Sequence, residues 1–252
     1  MKLSTDKDWN YQEFKTNLSD VEKYQRENEW VGIVRKYIPK GELSYLELGC
    51  SPGFCSAVTA QNTKWIISGV DFSNSESTFL KTLSLIGKEA KYYQSDIFKF
   101  KTLEKFDIVA SYGLIEHFSG SDFEEILKIH DDHLKPSGYL ILEVPNFTGF
   151  QYVWHYIFDK PNLLIHNTDI MSPQILASFY QRLGYHISYC DYIGVLKVWG
   201  VSRFDKLPLL RPLAKIIGLS INRFSALLAK CGLKINGKYA SPALLLIAKK
   251  KA

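Results

Sequence analysis

Eight residues, Leu46-Glu47-Leu48-Gly49-Cys50-Ser51-Pro52-Gly53, form the most chemically suggestive stretch of the chain. A short apolar run carries an acid and meets a turn of small residues, which opens into a helical pattern. Glycine lets such a turn take left-handed dihedrals and lets backbone approach a ligand closely. In open α/β sheets ligands bind just beyond the carboxyl ends of the strands. Spacing narrows the kind of ligand. Laying the dinucleotide fingerprint G-x-G-x-x-G on Gly49 and Ser51 puts Phe54 where helix–strand packing needs a small residue, which disfavours a nicotinamide dehydrogenase. The tighter spacing G-x-G-x-G is met at Gly49, Ser51 and Gly53 with one glycine replaced by serine. A second apolar run ends in Gly69-Val70-Asp71, which puts an acid 22 residues after Gly49, a placement suited to ribose hydroxyls. Farther on, Glu116-His117 follows a fourth apolar run; with an ordinary pKa of roughly 6.5, a histidine there can act as a general base near neutral pH. The alternative is a histidine that only orders its loop.

The G-x-G-x-G turn resembles that of the class I S-adenosylmethionine-dependent methyltransferases, and later segments extend the resemblance in the same order over Tyr45–Asn146. Ser95-Asp96-Ile97 is similar to the family segment that meets the adenine. Phe106-Asp107-Ile108-Val109-Ala110-Ser111 is similar to its fourth strand, and Leu134-Lys135-Pro136-Ser137-Gly138-Tyr139-Leu140 to the turn into its fifth. The resemblance implies a Rossmann-like, doubly wound α/β fold: a seven-stranded sheet, mostly parallel with an antiparallel last strand, and helices on both faces. It implies S-adenosyl-L-methionine as cofactor and S-adenosyl-L-homocysteine as product. Carried onto this chain, the family pattern gives Glu47 to the methionine end and Gly49, Ser51 and Gly53 to close backbone approach. Asp71 goes to the ribose hydroxyls, Asp96 and Ile97 to the adenine, and Ser111 and Tyr112 to the surroundings of the methionine and its methyl group. Ser51 departs from the middle glycine of the pattern, but it is small enough to keep the turn.

Methyl transfer from a sulfonium is an in-line displacement, in which the protein aligns donor and acceptor and removes a proton where the acceptor is a hydroxyl. Tyr112-Gly113-Leu114-Ile115-Glu116-His117-Phe118 resembles the Glu-His segment of ubiquinone-pathway-like and small-molecule O-methyltransferases, which makes His117 the candidate base. Glu116 is read as holding the loop or orienting a partner, not as a metal ligand. His166-Asn167 is the second candidate contact to a polar acceptor. The Asp/Asn-Pro-Pro-aromatic tetrad of amino-directed nucleic-acid methyltransferases is replaced by Ser111-Tyr112-Gly113-Leu114, which argues against base methylation. Two other readings stay open: an N-methyltransferase of the same fold that needs no base, and a non-catalytic cofactor-binding or membrane-associated protein.

The elements that must position these residues alternate between strand and helix, as in a parallel sheet with crossover helices. Strands are expected at Tyr45–Leu48, Trp65–Val70, Lys91–Gln94, Phe106–Ser111, Tyr139–Val144, Tyr185–Tyr192 and Pro242–Lys249. Helices are expected from Gly53 to Asn62, after the Ser73–Ser75 cluster, from Ser121 to Leu134 and from Ser172 to Leu183. Ser121-Asp122-Phe123-Glu124 has capping-box spacing, and Ser172-Pro173 is an N-cap followed by proline at N1. One domain, 1–252, is expected, with an N-terminal helical segment 1–40, an aromatic insertion 146–170 and a basic helical insertion 196–237. The aromatic insertion, which holds His155 and His166, serves either as core or as a lid that excludes water.

Composition sets the outer bounds. Of the 252 residues 46% are hydrophobic and 23% charged, enough for a sizeable core and unlike a disordered chain. Met1–Trp30 lacks the apolar stretch of a secretory signal, and Ala243–Ala248 is far shorter than the roughly 18–20 apolar residues of a membrane span. Cys50, Cys55, Cys190 and Cys231 have no metal-site spacing and read as reduced thiols of a cytoplasmic protein. Between Lys197 and Lys238 nine basic residues face one acid, so this stretch carries +8 and the remainder −3 of the net +5. Three readings of this insertion compete: a solvated helical cover over the site, a helix lying on an anionic inner-membrane surface through residues 207–230, or an attractor for an anionic small-molecule acceptor. A nucleic-acid partner is disfavoured, because basic residues alone supply no stacking platform or groove reader. The Leu207-Pro208-Leu209 opening resembles insertions of bacterial methyltransferases that act on sugars and surface-polysaccharide precursors.

Overall fold

The computed structural model describes residues 17–74, 76–198 and 211–252. Among the described residues seven strands make one sheet: β1 (Ser44–Leu48), β2 (Ile66–Asp71), β3 (Ala90–Gln94), β4 (Phe106–Tyr112), β5 (Leu134–Pro145), β6 (His186–Ile193) and β7 (Ala243–Lys249). Their order is β3-β2-β1-β4-β5-β7-β6. The pairs from β3 through β5 are parallel, and β7 inserts antiparallel between β5 and β6. After β1 the chain winds outward through β2 and β3, then returns to lay β4 on the other side of β1. That reversal puts the topological switch point at the carboxyl ends of β1 and β4, the place where doubly wound sheets bind ligands.

Strand alternation splits the apolar residues between two faces, as the period of two demands. Leu140, Leu142 and Val144 of β5 join one core cluster, with Phe123 and Ile126 of α5 (Gly120–His133) and Leu176 and Tyr180 of α8 (Pro173–Arg182). Ile141 joins the other, with residues of α1 (Leu18–Glu27), α2 (Trp30–Tyr37), α3 (Phe54–Asn62) and α4 (Glu76–Ser84). Each such fully buried side chain contributes about 1.5–3 kcal/mol against the exposed chain.

The two insertions pack on each other. The aromatic one forms α6 (Gly149–Phe158), α7 (Lys160–Leu164) and a 3-10 turn at Thr168–Ile170; the described part of the basic one contributes a 20-residue helix, α9 (Arg211–Lys230). Trp154 of α6, Val198 and Ala214 of α9 make a small core of their own. A Cβ on Gly218 would stand 3.3 Å from the Trp154 ring, so the glycine permits this close approach. Residues 199–210, including the Leu207-Pro208-Leu209 opening, lie outside the described residues.

Two local expectations need correction. The helix expected at Ser121 starts at Gly120 with Ser119 as N-cap; Ser121 Oγ donates to Asp122 Oδ1 instead of capping, so no capping box forms. The Lys135-Pro136-Ser137-Gly138 turn is not a separate loop. β5 begins at Leu134, and the register slips from Phe106↔Leu134 to Ile108↔Tyr139, so these residues form an irregularity within the strand, with Ser137 at φ 61.

Candidate active site

The glycine turn sits where β1 gives way to α3. Gly49 has φ 72 and Gly53, the N-cap of α3, has φ 99, left-handed values that disfavour any side chain. Space matters as well: a Cβ on Gly53 would lie 3.1 Å from the Phe79 ring and 3.4 Å from Phe79 backbone. Asp71, at the end of β2, ties the turn down. Its Oδ2 accepts from the Ser51 amide at 3.1 Å, and its Oδ1 accepts from the Ser73 amide and hydroxyl at 2.9 and 2.7 Å. A carboxylate offers about four acceptor positions; three are filled, which leaves one, on Oδ2, for a ligand hydroxyl. Ser51 Oγ is buried with no hydrogen-bond partner among the described residues, as a group awaiting a ligand would be. These features fit an adenosyl-type cofactor.

The other expected cofactor residues divide into two groups. Glu47 is buried; its Oε2 accepts from Ser56 Oγ at 2.5 Å and Tyr45 Oη at 3.3 Å. Burial pushes its carboxyl up to about 8, against the pull of those two hydrogen bonds. Asp96 is exposed and caps the turn after β3 by accepting from the Phe98 amide at 3.0 Å. Ile97 is 8% exposed and belongs to the core cluster beneath. Ser111 points the same way: its hydroxyl meets His130 Nε2 of α5 at 2.9 Å, and it is 1% exposed. Burial lowers the His130 pKa to about 4, so the ring there is neutral. Tyr112 faces the opposite side, its ring 4.5 Å from that of Trp30.

The segment after β4 and the end of the aromatic insertion are stitched together. His117 Nδ1 lies 3.1 Å from the Ile165 carbonyl, the Asn167 amide donates to the Glu116 carbonyl at 2.6 Å, and Asn167 Nδ2 donates to the Phe118 carbonyl at 3.1 Å. This pairing sets His117 and His166 with ring centroids 4.5 Å apart, and Glu116 Oε1 stands 3.6 Å from His117 Nε2. His166 Nδ1 lies 2.6 Å from the Asn162 carbonyl. A carbonyl only accepts, so in both rings Nδ1 carries a proton towards its carbonyl. Burial lowers the His166 pKa to about 4, and burial raises that of Glu116 well above the carboxylate range. His155, also in the aromatic insertion, is fully buried with its ring 4.5 Å from Phe147, which itself touches His166.

Sequence reasoning missed three contributors. Tyr24 of α1 stacks on Phe54 at 5.6 Å and its Oη lies 3.0 Å from Cys55 Sγ, so α1 covers the start of α3. Trp30 of α2 does the same for Tyr112. Glu143, beside Tyr112 in the sheet register, has its carboxyl pushed by burial up to about 7. Its signal was present: an acid interrupting the apolar run Leu140–Val144.

Residues 46–142 match a family described as a methyltransferase domain. No curated protein matches the chain by sequence. Among solved structures, the N-methyltransferase NodS from Bradyrhizobium japonicum, in complex with S-adenosyl-L-homocysteine, is 12% identical; the alignment covers 100% of this chain and 95% of that one, with a TM-score of 0.53. A putative methyltransferase from Bacillus halodurans is 15% identical over 93% of this chain and 100% of its own, with a TM-score of 0.58. A methyltransferase from Geobacter sulfurreducens, also in complex with S-adenosyl-L-homocysteine, is 14% identical over 93% and 99%, with a TM-score of 0.56. Residues 46–142 thus match a methyltransferase domain, and over nearly its whole length the chain shares the fold of these methyltransferase structures.

Proposed function

We propose that the protein transfers the methyl group of S-adenosylmethionine to a hydroxyl of a small acceptor, anionic or glycan-related. The observation that carries this reading is the convergence of Glu116, His117 and His166 just beyond β4. A hydroxyl must lose its proton to attack a methyl group, and two imidazoles whose Nδ1 atoms face backbone carbonyls turn their Nε2 atoms to that task. The oxygen then attacks in line with the departing sulfur, which keeps the bonding pair and leaves as a thioether. Exposed Lys215, Arg223 and Lys230 on α9 support an anionic acceptor through their field.

The first test is calorimetry with S-adenosylhomocysteine. Wild type binds, and Asp71→Ala weakens binding about a hundredfold, because a buried acceptor is removed from both the turn and the ligand. Labelled S-adenosylmethionine is then offered to hydroxyl and amine acceptors. His117→Ala lowers hydroxyl methylation about 10²–10⁴-fold while product binding persists. An amine product formed at an undiminished rate by His117→Ala would replace this reading with N-methylation, the activity in the name of NodS. Binding without turnover on any acceptor would make the protein a cofactor-binding partner. Among the described residues no helix is long and apolar enough to cross a membrane. The exposed Leu213, Ile216, Phe224 and Leu227 of α9 beside its basic residues support peripheral contact with an anionic lipid surface, which vesicle flotation checks.

A further inference from the structure

We propose that Glu116, His117 and His166 form a binding site for one divalent cation. Their donor atoms all lie within 4.8 Å of one another. A tetrahedral ion with bonds near 2.1 Å separates its ligands by about 3.4 Å, and the Glu116 Oε1 to His117 Nε2 distance of 3.6 Å is already close to that. Orientation makes the cluster more than a coincidence of spacing. Each histidine commits Nδ1 to a backbone carbonyl, His117 to Ile165 and His166 to Asn162, which fixes the tautomer with Nε2 as the donor to an ion. Protein metal sites hold their histidines in this way.

Glu116 supplies the second, independent observation. It is 1% exposed, and its Oε2 has no hydrogen-bond partner among the described residues. A carboxylate oxygen left unsatisfied in the interior is costly, and a cation beside it removes the cost. Two imidazole nitrogens and one carboxylate are the donor set of a catalytic zinc site, with an open position for a further ligand. Methyl transfer needs no redox change, so a redox-inert ion suits the chemistry. His166 is the partly exposed member and marks the side from which an ion reaches the site.

How the site is used rests on the hydroxyl reading; the binding of the ion does not. An acceptor hydroxyl on the open position is acidified and gives its proton to solvent. Its oxygen forms the O–CH3 bond as the C–S bond breaks, and the electron pair stays on sulfur. With the ion bound, His117 Nε2 holds the metal and the proton leaves to solvent; in the metal-free protein His117 takes the proton itself, so His117→Ala lowers hydroxyl methylation in either state.

The test is equilibrium dialysis of chelator-stripped full-length protein against Zn2+, with Co2+ loaded separately for its visible spectrum. Expected are one Zn2+ per chain, at least tenfold weaker binding in Glu116→Gln and in His166→Ala, and Co2+ bands of a four- or five-coordinate nitrogen/oxygen site that disappear in both variants. Circular dichroism reports whether each variant folds; if one fails, the other and the wild-type Co2+ spectrum decide. Folded wild type that takes up no Zn2+, or uptake unchanged in the folded variants, overturns the site. Neither readout uses an acceptor. Zn2+ binding in a protein that methylates only amines would therefore uphold the site and sink the hydroxyl reading, whereas hydroxyl methylation by metal-free protein that binds no Zn2+ would do the reverse.

Discussion

The proposed cofactor side and the proposed acceptor side of this molecule are built differently. The turn between β1 and α3 is made by residues adjacent in sequence: Gly49 and Gly53 set the backbone, and Asp71, one strand away, anchors it at Ser51. The acceptor side joins Glu116 and His117 to His166 across some fifty residues through the stitch at Ile165 and Asn167. Local geometry of the first kind tolerates little change, because the dihedral itself is at stake. The second kind depends on how the insertions dock, so it can vary while the sheet stays the same.

The largest effect expected from this difference is at Gly53. Gly53→Val combines a left-handed backbone with contact to Phe79 and should cost about 3 kcal/mol or more, seen as a lower Tm and loss of S-adenosylhomocysteine binding. Gly232, beyond α9, has a similar φ of 82 but nothing within 4 Å of a Cβ. Gly232→Ala should cost only about 1 kcal/mol and leave binding intact. Equal losses at the two glycines would erase the distinction.

An intermediate effect should come from pH. Glu47 holds its proton up to about 8 in the fold, so its contribution to stability falls as pH rises from the ordinary carboxylate range through that value. The cationic cofactor favours the ionised form. Binding of S-adenosylmethionine should therefore release a proton below about pH 8 and strengthen roughly tenfold between about pH 6 and 8. Calorimetry in buffers of different ionisation enthalpy measures the proton. A flat affinity with no proton release would remove Glu47 from the cofactor's neighbourhood.

The smallest effect on the cofactor side should come from Trp154→Ala, which empties the small core between α6 and α9. Its cost of about 3 kcal/mol should fall on the insertions. Hydrogen exchange should speed up in α9 while β1 and α3 keep their protection. Uniform acceleration would show that the two sides open together.

Much of the candidate site was legible before the fold was known, and unevenly. The strand and helix order was readable because alternation and helical period are local properties of the side chains. Gly49, Gly53 and Asp71 were readable because their spacing maps directly onto a strand–turn–helix. Ser111 and Ile97 were named from the same strip, yet one is bonded to His130 and the other lies in the core. A strand's period of two assigns side chains to alternate faces, but a neighbour such as His130 can engage a polar group that the pattern leaves to the ligand. Tyr24, Trp30 and Glu143 carried weak signals, since an aromatic on an amphipathic helix or one acid in a buried strand has many explanations.

The sequence by itself determined the class of fold, the glycine turn proposed to take the cofactor and the candidate histidines, because each depends on residues near one another along the chain. Only the tertiary structure decided that His117 and His166 meet, that Glu116 stands beside them with an oxygen unsatisfied among the described residues, and that the two insertions share a core. Those facts depend on contacts between segments far apart in sequence. Burial and backbone hydrogen bonds select such contacts when the chain closes, and no local pattern records them.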